Sequence, residues 1–245
     1  MLRNIDELLE GFQEIVDKSK EECGNKLEKI LQLIFINWDF FNAFFEGDKK
    51  HETKYVNSLV IWSLLELYRI SGHIFFLSYN ALYRNACYNI RYALELIVQA
   101  LYIDHRHPNT SLGTKIEILK EVEDKREYCV GQLIEKLRIG GIEKSKQTLI
   151  NEYHSLSGII HPSHEQVIIT ISDVLGGKGI PATVDCDEVS NIYESLKIMY
   201  DIFFFLLLYH FPENKESLET KPEFIKSVKV NKLCLLSQIF NIRLR

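Results

Sequence analysis

Proline and glycine are scarce in this sequence, whose 245 residues include five prolines and twelve glycines. Both residues interrupt helices, so their scarcity leaves long segments able to form helix. Long hydrophobic runs are also missing, because the most apolar run, Ile202 to Tyr209, is about half of the ~20 residues that cross a bilayer. The N-terminal residues form an amphipathic, acidic pattern that is unlike a signal peptide. We therefore expect an all-α protein that does not enter a membrane.

Closely spaced cysteines and an excess of positive charge are missing as well. The five cysteines stand far apart, which excludes a zinc cage of recognised spacing and argues against a disulfide scaffold: Cys23, Cys87, Cys129, Cys186 and Cys234. We expect reduced thiols and a cytoplasmic location. The formal net charge of -5 gives no reason to expect binding to duplex DNA, although it permits a local basic pocket. No pattern in the sequence indicates a cofactor.

Apolar residues at helical spacing divide the chain into three predicted units. Residues 1–52 form an N-terminal pair of helices that packs on the core, with a break at Cys23-Gly24-Asn25. Residues 53–212 form the helical core, and residues 213–245 contribute a C-terminal helix. The predicted fold is therefore an all-α multi-helix bundle.

One β signal interrupts this pattern near residues 167–184. Val167 to Ser172 is rich in β-branched residues, Gly176 to Gly179 is typical of a turn, and Ile180 to Val184 can return as a second strand. The glycine-rich run lacks the spacing of a phosphate-binding loop, so a hairpin turn is the better interpretation. We predict a small β-hairpin inserted in the bundle.

The helix predicted over residues 80–108 carries a polar strip along an otherwise apolar rod. Arg91 and Glu95 are four residues apart on this strip, and Tyr88 lies one turn before Arg91. An ion pair among apolar neighbours is costly to leave unpaired, so the two charges serve either the packing of the helix or a binding site. The sequence leaves both alternatives open.

A second helix, over residues 143–160, places three polar side chains on one face. His154, Ser157 and His161 are spaced at i, i+3 and i+7, and Ser163 follows Pro162. His161 falls at the helix C-terminus, where the helix dipole favours a protonated imidazole. Two imidazoles near an arginine suit a phosphate clamp or acid–base chemistry. The alternative is that His161 caps backbone carbonyls and His154 is solvated.

A third polar group, Asp104-His105-Arg106-His107, lies in the turn before Pro108. Two histidines one residue apart can contribute to a metal site, but a third and a fourth ligand at a recognised spacing are missing. We therefore predict no metal site.

Two short motifs together resemble the HEPN superfamily of prokaryotic helical proteins, in a branch without an assigned function. These are the Arg91-x3-Glu95 motif, and Leu156-Ser157 followed by His161-Pro162-Ser163. The resemblance implies a four- or five-helix core, homodimerisation and, in the active members, metal-independent RNA cleavage by an arginine and a histidine with four to six residues between them. No arginine of this chain lies at that distance before His154 or His161, and Arg69 and His73, with three residues between them, are one residue too close.

Two hypotheses about function follow. In the first, the chain is a self-associating interaction or regulatory module, and its Arg-Glu-His network fixes the register of the helices. In the second, it is an HEPN-like endoribonuclease, or a protein of the toxin or defence type that binds nucleotide or RNA phosphate. Arg91 would then hold phosphate and Glu95 would orient it, while His154 and His161 act as acid and base; Tyr88, Ser157 and Ser163 would contact the ligand.

Overall fold

The computed structural model describes residues 5–46, 55–123, 130–137, 143–160 and 184–243. These residues form ten α-helices: α1 Ile5–Glu46, α2 Leu59–Tyr79, α3 Tyr83–Arg106, α4 Leu112–Glu123, α5 Val130–Lys136, α6 Glu143–Ile160, α7 Cys186–His210, α8 Lys215–Glu219, α9 Pro222–Val230 and α10 Cys234–Ile239. The all-α, multi-helix prediction is confirmed. The hairpin predicted near residues 167–184 lies, apart from Val184, outside the described ranges, and these ranges contain no strand, so the hairpin is unsupported.

Helix α3 lies at the centre of the bundle. It pairs with α2 in a hairpin and also packs against α5, α6 and α7, while α1 covers α2 and α7. Its apolar positions recur at helical spacing and are fully buried, among them Ile90, Ala93 and Ile97. As predicted, the helix ends before Pro108, because the residue before a proline disfavours helical dihedral angles.

A three-residue turn, Asn80 to Leu82, joins α2 to α3. The Leu82 amide donates to the Leu77 carbonyl at 2.8 Å and the Ala81 amide donates to the Ser78 carbonyl at 3.3 Å. These two hydrogen bonds satisfy carbonyls in the last turn of α2. They form only when Ala81 adopts a left-handed backbone conformation. Ala81 has a φ of 55°, a conformation in which glycine is less strained than alanine.

Helix α2 is long and apolar enough to span a membrane by length and composition, but half of its most apolar window is buried in the fold. Core helices of soluble proteins have the same character. Hydropathy is thus weak support for a membrane span.

The predicted break at Cys23-Gly24-Asn25 is wrong, because α1 runs through these residues as one helix. A glycine inside a helix costs only about 1 kcal/mol. Cys23, Leu27 and Ile30 are buried on one face, and that burial outweighs the cost. The N-terminal pair of helices is therefore a single helix as far as Glu46.

The prediction of reduced thiols is wrong for two of the cysteines. Cys23 of α1 and Cys186, the first residue of α7, form a disulfide with a Cα–Cα distance of 5.4 Å. Lys26 supports the same junction by donating to the Cys186 carbonyl at 2.8 Å. Cys87 is a buried free thiol and Cys234 an exposed one, while Cys129 lies outside the described residues.

The C-terminal region also departs from the prediction, because the single helix expected there is divided into α9 and α10. Lys232, between them, has a φ of 51°. The Asp201 carboxylate of α7 starts the new helix by accepting hydrogen bonds from the amides of Leu235 and Leu236, at 2.9–3.0 Å. A cap supplied by a distant residue is not visible in local sequence.

Candidate functional site

The candidate site is built from two adjacent turns of α3. Arg91 Nε lies 3.3 Å from Glu95 Oε1, and the two side chains are 24% and 32% exposed. The predicted ion pair is therefore present and partly buried. Arg91 Nε makes no hydrogen bond, so its contact with Glu95 is purely electrostatic. The hydrogen bond of the guanidinium comes from Nη2.

Tyr153 of α6 completes the group. Arg91 Nη2 donates to the Tyr153 hydroxyl at 3.0 Å, and that hydroxyl donates to Glu95 Oε1 at 2.9 Å. The guanidinium carbon of Arg91 also lies 5.0 Å from the centre of the Tyr153 ring. One phenol thus joins both charges of α3 to a second helix. We call Arg91, Glu95 and Tyr153 the α3–α6 network.

The α3–α6 network holds defined protonation states. Burial raises the pKa of Tyr153, helped by Glu95 and opposed by Arg91. Burial lowers the pKa of Arg91, but the hydrogen bond and the charges of Tyr153 and Glu95 outweigh it and leave that pKa raised. At neutral pH the phenol is therefore neutral and the guanidinium charged, and the opposite charge of Glu95 balances the latter.

Three of the other predicted site residues, His154, Ser157 and Tyr88, lie within the described ranges. His154 is exposed, and its ring centre is 6.0 Å from that of Tyr153, edge to face. The Ser157 hydroxyl donates to the Tyr153 carbonyl at 2.7 Å, within its own helix. Tyr88 is 58% exposed on α3. His161 and Ser163 lie outside the described residues.

Tyr153 was missed as a site residue because its spacing places it with the apolar side of α6, beside Leu149 and Leu156. Its hydroxyl was the available signal, since a tyrosine packed toward a charged strip usually finds a hydrogen-bond partner there. Local sequence does not indicate which helix carries that strip opposite α6.

A second ionic group, at the end of α3, was missed altogether. Lys115 Nζ of α4 donates to Asp104 Oδ1 at 2.8 Å, with the two side chains 2% and 14% exposed. Asp104 also accepts from the Ser58 hydroxyl at 2.6 Å and from the amides of Leu59 and Val60 at 3.1 and 3.0 Å. We call this group the α2 cap, since it satisfies the first amides of α2.

The α2 cap changes the interpretation of residues 104–107, for which the sequence predicts a turn. Asp104 to Arg106 belong instead to the last turn of α3, and His107 is its C-cap. Both carboxylate oxygens of Asp104 accept hydrogen bonds within the α2 cap. The His105 ring lies near His210, with the ring centres 6.0 Å apart. Among the described residues no three metal-binding side chains come together.

No family model, curated protein or solved structure matches this chain. The resemblance to the HEPN superfamily stays a prediction from the two sequence motifs.

Proposed function

We propose that the protein is a self-associating helical interaction module without catalytic activity, in which the α3–α6 network fixes how α6 packs on α3. The observation that carries the proposal is the single hydroxyl of Tyr153, which accepts from Arg91 and donates to Glu95. A phosphate clamp needs an arginine whose forked donors face the ligand. Here the guanidinium is directed at a carboxylate and a phenol of the same molecule.

The network suits a structural role for energetic reasons. A partly buried charge that loses its partner is costly, so α6 has one favourable position along α3, where Tyr153 reaches both charges. A slip of α6 by one turn would separate the phenol from both groups by about 5.4 Å. Such a network selects one register even when its net contribution to stability is small.

A second candidate function is a metal-independent endoribonuclease, or a protein that binds RNA phosphate. It is favoured by His154, which is exposed beside the α3–α6 network. An imidazole that can reach a ribose 2'-hydroxyl is a suitable general base for its proton. In this alternative Arg91 holds the phosphate, Glu95 orients Arg91, and His161 supplies the second proton transfer.

Cleavage of a labelled single-stranded RNA, with a chelator present, separates the two functions. We expect the wild type, His154→Ala and His161→Ala to show the same background rate. His73→Ala, which removes an exposed histidine from α2, controls for the loss of a histidine elsewhere. Cleavage by the wild type that disappears in His154→Ala or His161→Ala, but not in His73→Ala, would replace the proposed function by the second candidate.

Self-association is tested separately by light scattering or sedimentation over a range of protein concentrations. We expect a dimer at micromolar concentration. A monomer over the whole range would contradict the self-associating part of the proposal without affecting the RNA result.

A further inference from the structure

The face formed by α1 and α2 exposes aromatic side chains where a solvated helix face would carry charge. Among residues 31–42 of α1 the exposed positions are Phe35 and Trp38, at 52% and 41%. On α2, Trp62, Leu65 and Phe76 are 40%, 36% and 62% exposed. We call these five residues the α1–α2 face.

The two halves of this face are continuous. The Trp38 ring lies 5.1 Å from the Tyr68 ring of α2, and Asn37 donates to the Leu64 carbonyl at 3.2 Å beneath them. Trp62, Leu65 and Phe76 are spaced at i, i+3 and i+14, which places them on one side of α2 along about 21 Å of its length. The exposed side chains therefore form one surface and not isolated residues.

From this surface we infer that a second copy of this chain docks on the α1–α2 face, as a two-fold dimer with the two α2 helices antiparallel. The inference rests on the proposed function and names the surface that self-association uses.

The area of the face agrees with a dimer. A large aromatic side chain offers about 150–250 Å², so side chains exposed to this extent leave roughly 500 Å² of contiguous apolar surface. A stable interface buries about 800 Å² on each partner, with an apolar core and a polar rim. The α1–α2 face therefore has the size of such a core.

The charges on the face are self-complementary, as a two-fold contact requires. Glu66 and Arg69 lie between the aromatic residues and pair with each other through two hydrogen bonds, of which Arg69 Nε to Glu66 Oε2 measures 2.9 Å. In an antiparallel pairing centred between them, Glu66 of one copy meets Arg69 of the partner subunit, and the reverse contact is formed by symmetry.

Gly72 leaves the surface of α2 open one turn beyond Arg69, since a Cβ built on it would meet nothing within 4 Å. In the same antiparallel register, Trp62 of one copy lies opposite position 73 of the other, next to this open position.

The same charges make a lipid surface a poor occupant. Glu66 and Arg69 lie in the middle of the face, where insertion into a bilayer would remove both from water. A second copy leaves them hydrogen-bonded and still neutralised.

The first test uses Leu65→Glu and Phe76→Glu, which place charge on exposed positions, with Tyr209→Glu as the matched control on α7. Tyr209 is 55% exposed and lies outside the α1–α2 face. We expect each of the first two variants to raise the dimer dissociation constant by at least about ten-fold, which corresponds to 1.4 kcal/mol. The control should leave it unchanged, and circular dichroism should show native helix content in all three.

The second test exchanges the charges and remains informative if a glutamate variant fails to fold. Glu66→Arg and Arg69→Glu each bring like charges together across the two-fold axis, so each should weaken the dimer. The double variant, Glu66→Arg with Arg69→Glu, restores opposite charges and should recover the wild-type dissociation constant. Because the double variant also restores the pair within one copy, the deciding measurement mixes the two single variants. Each copy then keeps like charges within itself, opposite charges meet only between copies, and the mixture should dimerise more tightly than either variant alone.

Three outcomes would overturn the inference. A dimer unaffected by these variants would place self-association on another surface and leave the proposed function standing. A monomer at every concentration would remove this inference together with the self-associating part of the proposed function. Binding of the wild type to phosphatidylcholine or phosphatidylserine vesicles, lost in Leu65→Glu and Phe76→Glu, would assign the face to a membrane.

Discussion

The two ionic groups of α3 differ in what surrounds them and in what they hold. The α2 cap at the end of the helix is almost sealed from water, and Asp104 there satisfies two backbone amides and an ammonium at once. The α3–α6 network in the middle is about a quarter to a third exposed and joins side chains only. The comparison teaches that burial and backbone involvement, and not the number of charges, decide how much each group contributes to stability.

Removal of the Asp104 carboxylate should have the largest effect. Asp104→Ala leaves the Lys115 ammonium buried without its countercharge and removes the acceptor of the first α2 amides, so we expect a loss of about 3–5 kcal/mol in the free energy of unfolding. Chemical denaturation measures this loss. Glu117→Ala is the matched control, because it removes only the exposed 3.1 Å pair with Lys120 and should cost less than about 0.5 kcal/mol. A loss below 1 kcal/mol in Asp104→Ala would contradict the comparison.

Removal of the Tyr153 hydroxyl should have an intermediate effect. Tyr153→Phe keeps the ring and the Arg91–Glu95 pair but deletes two hydrogen bonds to charged groups that water can still reach, so we expect a loss of about 1–2 kcal/mol. Tyr88→Phe, which removes an exposed phenol from α3, should be nearly neutral. The comparison would be reversed if Tyr153→Phe destabilised the protein more than Asp104→Ala.

Alkaline pH tests the same phenol without a change of packing. Burial raises the pKa of Tyr153 in the folded state above its ordinary value of 10.0. Its contribution to stability is therefore complete below about pH 10 and is lost as the pH rises through the raised value. We expect the wild type to lose stability above pH 10 more steeply than Tyr153→Phe. The variant keeps a residual slope from other buried groups, among them Cys87 and Tyr193, since burial raises the pKa of each to about 12. Urea unfolding across this range, with tyrosinate absorbance, measures both slopes.

The smallest effect concerns the turn that joins α2 to α3. Ala81→Gly relieves a left-handed alanine and touches neither ionic group, so it should stabilise the protein by about 0.5–1 kcal/mol. The rise in melting temperature measures it and gives a baseline for the other variants of this hairpin. A decrease would mean that the loss of the buried methyl group outweighs the relief of strain.

The parts of the fold that follow from local pattern were predictable. The spacing of Ile90, Ala93 and Ile97 indicates α3. Asp185, directly before α7, is a local cap that accepts hydrogen bonds from the amides of Asp187 and Glu188 at 2.8 and 3.3 Å. The division of the C-terminal helix was not predictable, because it depends on Asp201, more than thirty residues away. The continuity of α1 through Gly24 likewise depends on burial against α7.

The candidate site divides in the same way. The Arg91–Glu95 pair lies within one helix, so its spacing was enough to predict it. Tyr153 and Lys115 come from other helices, and their roles follow from where α6 and α4 pack. Lys115 in particular belongs to α4, a helix rich in charged residues, yet it is 2% exposed. Only its hydrogen bonds to Asp104 and to the Asn57 carbonyl make that burial tolerable.

The disulfide between Cys23 and Cys186 closes a covalent ring whose ends are 163 positions apart. Both ionic groups and the whole of α2, α3 and α6 lie within that ring. Helices α8, α9 and α10 follow it in sequence and are not part of it. A protease that cuts one peptide bond within the ring leaves a single molecule of unchanged mass apart from one added water, and two fragments separate only after a reductant opens the ring. The C-terminal helices have no such safeguard, so one cut after α7 releases them at once from a denatured chain.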